Sequence, residues 1–189
     1  MARKKYEFRP DAEGTSLLSR LQLTPRQRTA LLKWGLYAVV LLVLSLLQDV
    51  ILSRVRLLGT TTDLVSCAIL LICVILGSEK GSVFALVAAA LYQFSGGPGY
   101  YVIVLLPLIG ILAAMFRQGY LHKTVSSELF CTALATVLYH LGLFGICLVL
   151  EQTAPERFAA YLLTAVFSLV AVPILYPICA AIDRLGGEL

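Results

Sequence analysis

The 189 residues are 59% hydrophobic and 14% charged, whereas a soluble domain of this size carries about a quarter charged residues. The charges are clustered and leave apolar runs close to the roughly 20 residues that cross a bilayer. This excludes an ordinary soluble domain and indicates an all-α integral membrane protein with no nucleic-acid partner. The positive balance of +4 has its source at the start of the chain, where eight basic side chains between Arg3 and Lys33 outweigh Glu7, Asp11 and Glu13.

Residues 1–33 read as a basic cytoplasmic tail and the start of a juxtamembrane helix, residues 34–182 as a transmembrane domain, and residues 183–189 as a short cytoplasmic C-terminus. Thr24-Pro25-Arg26-Gln27 has the form of a capping box with proline at the first helical position. A helix starting there enters the membrane at Trp34 and ends near Leu52; this run is long enough to span and is expected to stay in the mature protein. The second span is expected from about Thr62 to Gly77, with Asp63 in its first turn, where a negative charge suits the helix dipole, and Gly77 ending it. Glu79-Lys80 reads as a very short solvated loop. The third apolar run, Val83 to Phe94, is short and crosses only with help from Gly81, Ser82 and Ser95, or is tilted, broken or buried among its neighbours. The fourth runs from Tyr100 to Phe116, the fifth from Leu129 to Leu150 and the sixth from Phe158 to Ile182, with kinks expected at Pro173 and Pro177.

Six spans put both termini on one side of the cell membrane. With that side cytoplasmic, twelve basic residues lie inside against Arg54, Arg56 and Arg157 outside, which is the bias expected of a multi-pass protein. SGGPGYY, residues 95–101, then faces outward between the third and fourth spans. It lacks the lysine of a GxxxxGK[ST] phosphate loop and reads as a tight turn, its two tyrosines belonging to the interfacial aromatic belt.

The spans offer few chemical groups. Cys67, Cys73, Cys131, Cys147 and Cys179 all fall in apolar runs, odd in number and without a CxxC pair, and read as small packing residues rather than a metal site. His140 is the one ionisable residue near the middle of a span, able to bond a backbone carbonyl or Thr136, or to carry a proton. Asp49 lies about a helical turn from Arg54 and pairs with it locally or faces a partner. Ala85, Ala88 and Ala89, with Gly142 and Gly145, let helices approach closely. No Ser-His-Asp set, carboxylate pair or metal-ligand cluster can be assembled, so no enzymatic activity and no cofactor is expected.

The order of features resembles the MreD family of rod-shape-determining membrane proteins over roughly residues 35 to 150. A first helix ends in LLQ (Leu46 to Gln48), a loop carries Gly59, and a second helix opens with Asp63-Leu64. GSEKGSVFA (Gly77 to Ala85), a small-residue helix, SGGPG, and LLPLIGILAAMFR (Leu105 to Arg117) follow. Tyr92-Gln93 stand where the family usually has an aspartate before the SG turn, and Thr62 where a proline often precedes the aspartate of the second span. The resemblance implies a six-helix fold similar to the substrate-binding subunit of energy-coupling-factor vitamin transporters. It also implies a non-enzymatic scaffold of cell-wall elongation that associates with MreC and, through it, with the RodA polymerase, a class B penicillin-binding transpeptidase and MreB filaments. Asp49, Arg54 and Arg56 are the residues expected to form part of a partner interface, and the basic tail is expected to meet anionic lipid. The competing reading is the substrate-capture subunit of such a transporter, although Trp34 to Leu52 holds only Ala38 where an Ala-x-x-x-Ala docking surface would be expected.

Overall fold

A computed structural model describes residues 25–52, 54 and 60–185. Thr24, Arg56 and most of the basic tail lie outside the described residues. Within them the chain is all-helical: α1 (Pro25–Leu47), continued by a π-helical turn (Gln48–Leu52), α2 (Leu64–Leu76), α3 (Ser78–Phe94), α4 (Val102–Tyr120), α5 (Val125–Val149) and α6 (Phe158–Leu185), the last preceded by a 3-10 turn (Pro155–Arg157).

Four stretches are long and apolar enough to cross a membrane: Gln27–Leu52, Val102–Tyr120, Val125–Val149 and Pro155–Leu185. The other two helices, matching the second and third of the six spans read from the sequence, are not long and apolar enough by that measure; the third run also reads as short in the sequence. The 13 residues of α2 make about 20 Å of helix, against a hydrocarbon core of about 30 Å. The 17 residues of α3 include Glu79 and Lys80 in their opening turns. The physical reason is position. Every residue of α2 from Leu64 to Ile75 is buried, because the helix is the axle of the bundle and packs against all five others. A helix that is apolar all round belongs in an interior, and one enclosed by protein need not match the bilayer.

Local chemistry sets the ends of α2. Asp63 accepts the Ser66 N–H through Oδ1 at 3.1 Å, and Gln48 Oε1 accepts the Val65 N–H at 3.0 Å, so two of the four N–H groups a helix start leaves open are satisfied. Gly77, at φ +86°, is the single residue between α2 and α3, a left-handed conformation that glycine adopts without strain. The expected Glu79-Lys80 loop is therefore the first turn of α3, with Glu79 at the positive end of the helix dipole.

Close packing follows from small residues. A Cβ on Gly81 of α3 would lie 2.5 Å from the Cys73 carbonyl oxygen, and one on Gly110 of α4 would lie 3.0 Å from Cys73 Sγ. Cys73 thus wedges α2 between α3 and α4. All five cysteines are buried and unbridged. Ala85, Ala88 and Ala89 of α3 are also buried, while the atoms nearest to a Cβ on Gly142 belong to Leu105 and a Cβ on Gly145 meets nothing within 4 Å.

α5 opens on a reciprocal capping box between Thr124 and Ser127, and α6 continues helically through Pro173 and Pro177. At the end where α1 begins, Lys33 Nζ meets Asp183 Oδ1 at 2.5 Å. Deeper in, Arg117 Nη1 meets Glu128 Oε1 at 2.6 Å, and the Tyr176 hydroxyl donates to Glu128 Oε2 at 2.9 Å.

Candidate functional site

The opposite end of the bundle, where the SGGPG loop joins α3 to α4, holds a cavity of about 720 Å³. Its wall comes from the π turn after α1, the Thr60–Thr62 segment, Asp63, the end of α3, the loop itself, α5 and the start of α6. The volume falls in the range of small-molecule pockets, roughly 300–1,000 Å³.

The polar groups of the wall are held from behind. Asp63 is positioned three ways: its N–H donates to Ser168 Oγ at 3.0 Å, and its Oδ1 accepts both the Ser66 N–H and, at 3.0 Å, the Tyr92 hydroxyl. Ser168 in turn donates to Thr164 O at 2.8 Å, and the Thr164 hydroxyl donates to Ala160 O at 3.0 Å. Such bonds to the carbonyl four residues back occupy a hydroxyl proton and leave its lone pairs free.

His140 lies in the same wall, 3% exposed. Its Nδ1 is 2.8 Å from Thr136 O; a carbonyl can only accept, so Nδ1 carries the proton. In the neutral ring Nε2 is then an acceptor, and that atom is buried without a partner, as is Thr62 Oγ1. The carbonyl bond anticipated for His140 is present, but it accounts for only half of the ring. Buried polar atoms without partners are rare and call for an explanation, and two of them share this wall.

The residues read as a partner interface lie around the same end. Asp49 is exposed on the π turn, where the Ser95 hydroxyl donates to its Oδ2 at 3.5 Å; Arg54 is exposed just beyond; Arg56 is outside the described residues. Of the loop tyrosines, Tyr100 is 82% exposed, whereas the Tyr101 hydroxyl reaches Pro98 O and Cys147 Sγ, both at 3.0 Å. Gly96 and Pro98 form part of the cavity rim, so the loop is more than a turn.

Sequence reasoning placed Asp63 on a helix start and singled out His140, but did not join them. Tyr92, Thr164 and Ser168 were missed, and only their spacing could have signalled them: Thr164 and Ser168 stand one turn apart on one face of α6. A second surface lies on the flank of the bundle. A groove of about 570 Å³ runs between α1 and α3, lined by apolar groups from Trp34, Leu41, Phe84, Val87 and Leu91. Among the described residues no cluster of three or more His, Cys, Asp or Glu is placed to hold a metal ion. No protein-family model, curated protein or solved structure matches this chain.

Proposed function

We propose that the chain is an MreD-like, non-enzymatic membrane scaffold of bacterial cell-wall elongation. In this reading all six helices lie within the cell membrane, in the arrangement of an energy-coupling-factor substrate-binding subunit. Both termini and the Lys33–Asp183 end are cytoplasmic, and the SGGPG end faces out. The observation that carries it is the groove between α1 and α3. Of the most apolar stretch in each long helix, 17% is buried for α1 against 33–39% for the other three. α1 therefore offers its length to lipid or to another transmembrane segment, beside the small residues Ala38 and Ala88 that line the groove. Packing of this kind drives helix association in lipid. The segment assigned to it is the membrane anchor of MreC, through which RodA, a class B penicillin-binding transpeptidase and MreB are reached. The outer residues Asp49, Arg54 and Arg56 add polar contacts, and the basic tail holds anionic lipid at about 1 kcal/mol per Lys or Arg near the surface.

Val87 and Leu91 are 55% and 61% exposed in the groove, so Val87→Trp with Leu91→Trp fills it without touching the core. Gentle purification of the unaltered chain is expected to bring MreC along, and depletion to round rod-shaped cells. The double variant is expected to accumulate normally yet lose MreC and cell shape. Full retention of both would overturn the reading.

The 720 Å³ polar cavity favours a second reading, the substrate-capture subunit of a transporter. Co-purification of an ATPase pair, with shape indifferent to depletion, would establish it in place of the first.

A further inference from the structure

We infer that the cavity beside the SGGPG loop binds a small zwitterion, its protonated amine directed to Asp63 and His140 and its anionic group to Arg157. This goes beyond the scaffold reading and depends on no partner protein.

The wall is biased in hydrogen-bonding sense. Tyr92 spends its hydroxyl proton on Asp63 Oδ1, and Thr164 spends its own on Ala160 O. His140 spends its Nδ1 proton on Thr136 O and keeps an unpartnered lone pair on Nε2. Both side-chain bonds to Asp63 fall on Oδ1, which leaves the other carboxylate oxygen to the cavity. Asp63, Tyr92, Thr164 and His140 therefore present acceptors, while Thr62, whose hydroxyl is unpartnered, can accept or donate. An N–H-bearing cation satisfies such a set, and with Asp63 the bonds are charge-assisted. Arg157 also lines the cavity, on the 3-10 turn before α6, and is exposed; its guanidinium suits a carboxylate or phosphate. Positive charge at the mouth and negative charge at depth fix the orientation of the ligand. The same chemistry is carried by a free solute and by the ethanolamine headgroup of a phospholipid.

The test uses the full chain in nanodiscs of phosphatidylglycerol, with phosphoethanolamine as the probe and calorimetry or equilibrium dialysis as the readout. Saturable binding of one probe per chain is expected. Glycerol phosphate, which lacks the amine, and phosphocholine, which lacks N–H donors, should each bind at least about tenfold more weakly. Asp63→Asn keeps a capping side chain for α2 and should weaken the probe about tenfold; Arg157→Gln should weaken it severalfold and make its binding less sensitive to salt. Adding phosphatidylethanolamine to the nanodisc separates the two sources: competition with the probe identifies the headgroup as occupant, and its absence identifies a free solute. No saturable binding would mean that the cavity holds only water, and equal binding to folded Asp63→Asn would mean that its charge does not hold the amine; either result would overturn the inference. That failure would leave MreC association untouched, and loss of MreC association would leave probe binding untouched, so the two ideas fail separately.

Discussion

Arg117 and Glu128 carry opposite charges inside the bundle, with side chains 7% and 5% exposed. Each compensates the other, and Tyr176 occupies the second carboxylate oxygen. Removing one partner leaves a buried charge without its counterion, which costs about 3–5 kcal/mol. Glu128→Gln is therefore expected to lower the thermal midpoint of the purified protein sharply. Tyr176→Phe, which removes one bond to a charged acceptor, should cost about 1.5–3 kcal/mol. Replacing both charges, Arg117→Met with Glu128→Leu, should recover most of the loss, because well-packed apolar pairs commonly match a buried ion pair. A double variant no more stable than Glu128→Gln would show that the pair does more than neutralise itself. This pair was not legible in the sequence. Each residue stands at the ragged end of an apolar run, where hydropathy reads a solvated loop. Only the capping of α5 at Thr124 brings Glu128 into a helix and turns it inward.

At the scale of the element, α2 was the most legible part of the chain: Asp63 and Gly77 mark its ends because both act through the local backbone. The start of α3 was misread for the opposite reason. Its first turn is polar and Gly77 offers no side-chain cap, so neither periodicity nor a capping motif announces a helix at Ser78. What holds that turn is tertiary, the approach of Gly81 to Cys73. Gly81→Ala is accordingly expected to push α3 off α2 and destabilise by about 1–3 kcal/mol, as overpacking does. Gly145→Ala, with open space around it, should be neutral or should gain up to about 1 kcal/mol of helix propensity. Thermal unfolding of the two variants side by side checks the contrast; equal effects would mean that the seam can yield. The cavity was less legible than the helices because its wall draws on five separate segments. A lone histidine and a lone aspartate carry no signal of adjacency until the fold brings them together.

For the whole molecule, the proposed topology puts the SGGPG loop outside and the α2–α3 corner inside. Tyr100 and Lys80 are both exposed, and the five native cysteines are buried, so single cysteines at these two positions should dominate labelling by a membrane-impermeant maleimide. Tyr100→Cys is expected to label in intact cells and Lys80→Cys only after lysis. The reverse pattern would invert the molecule and move the cavity to the cytoplasmic face.

The short axle also has an electrical consequence. In the proposed topology lipid would meet the longer outer helices, while the central α2 is only about 20 Å long and the cavity opens beside Asp63. A membrane voltage falls across low-dielectric material and hardly at all across water. With the cavity filled by water, that voltage would be compressed into about two thirds of the usual hydrocarbon thickness, and the local field would rise by about half. In a cell with a negative interior and the cavity facing outward, that field would pull a cation toward Asp63 and strain an anion away from it. An energised membrane would thus favour the orientation of charge proposed for the zwitterion, with its cation toward Asp63.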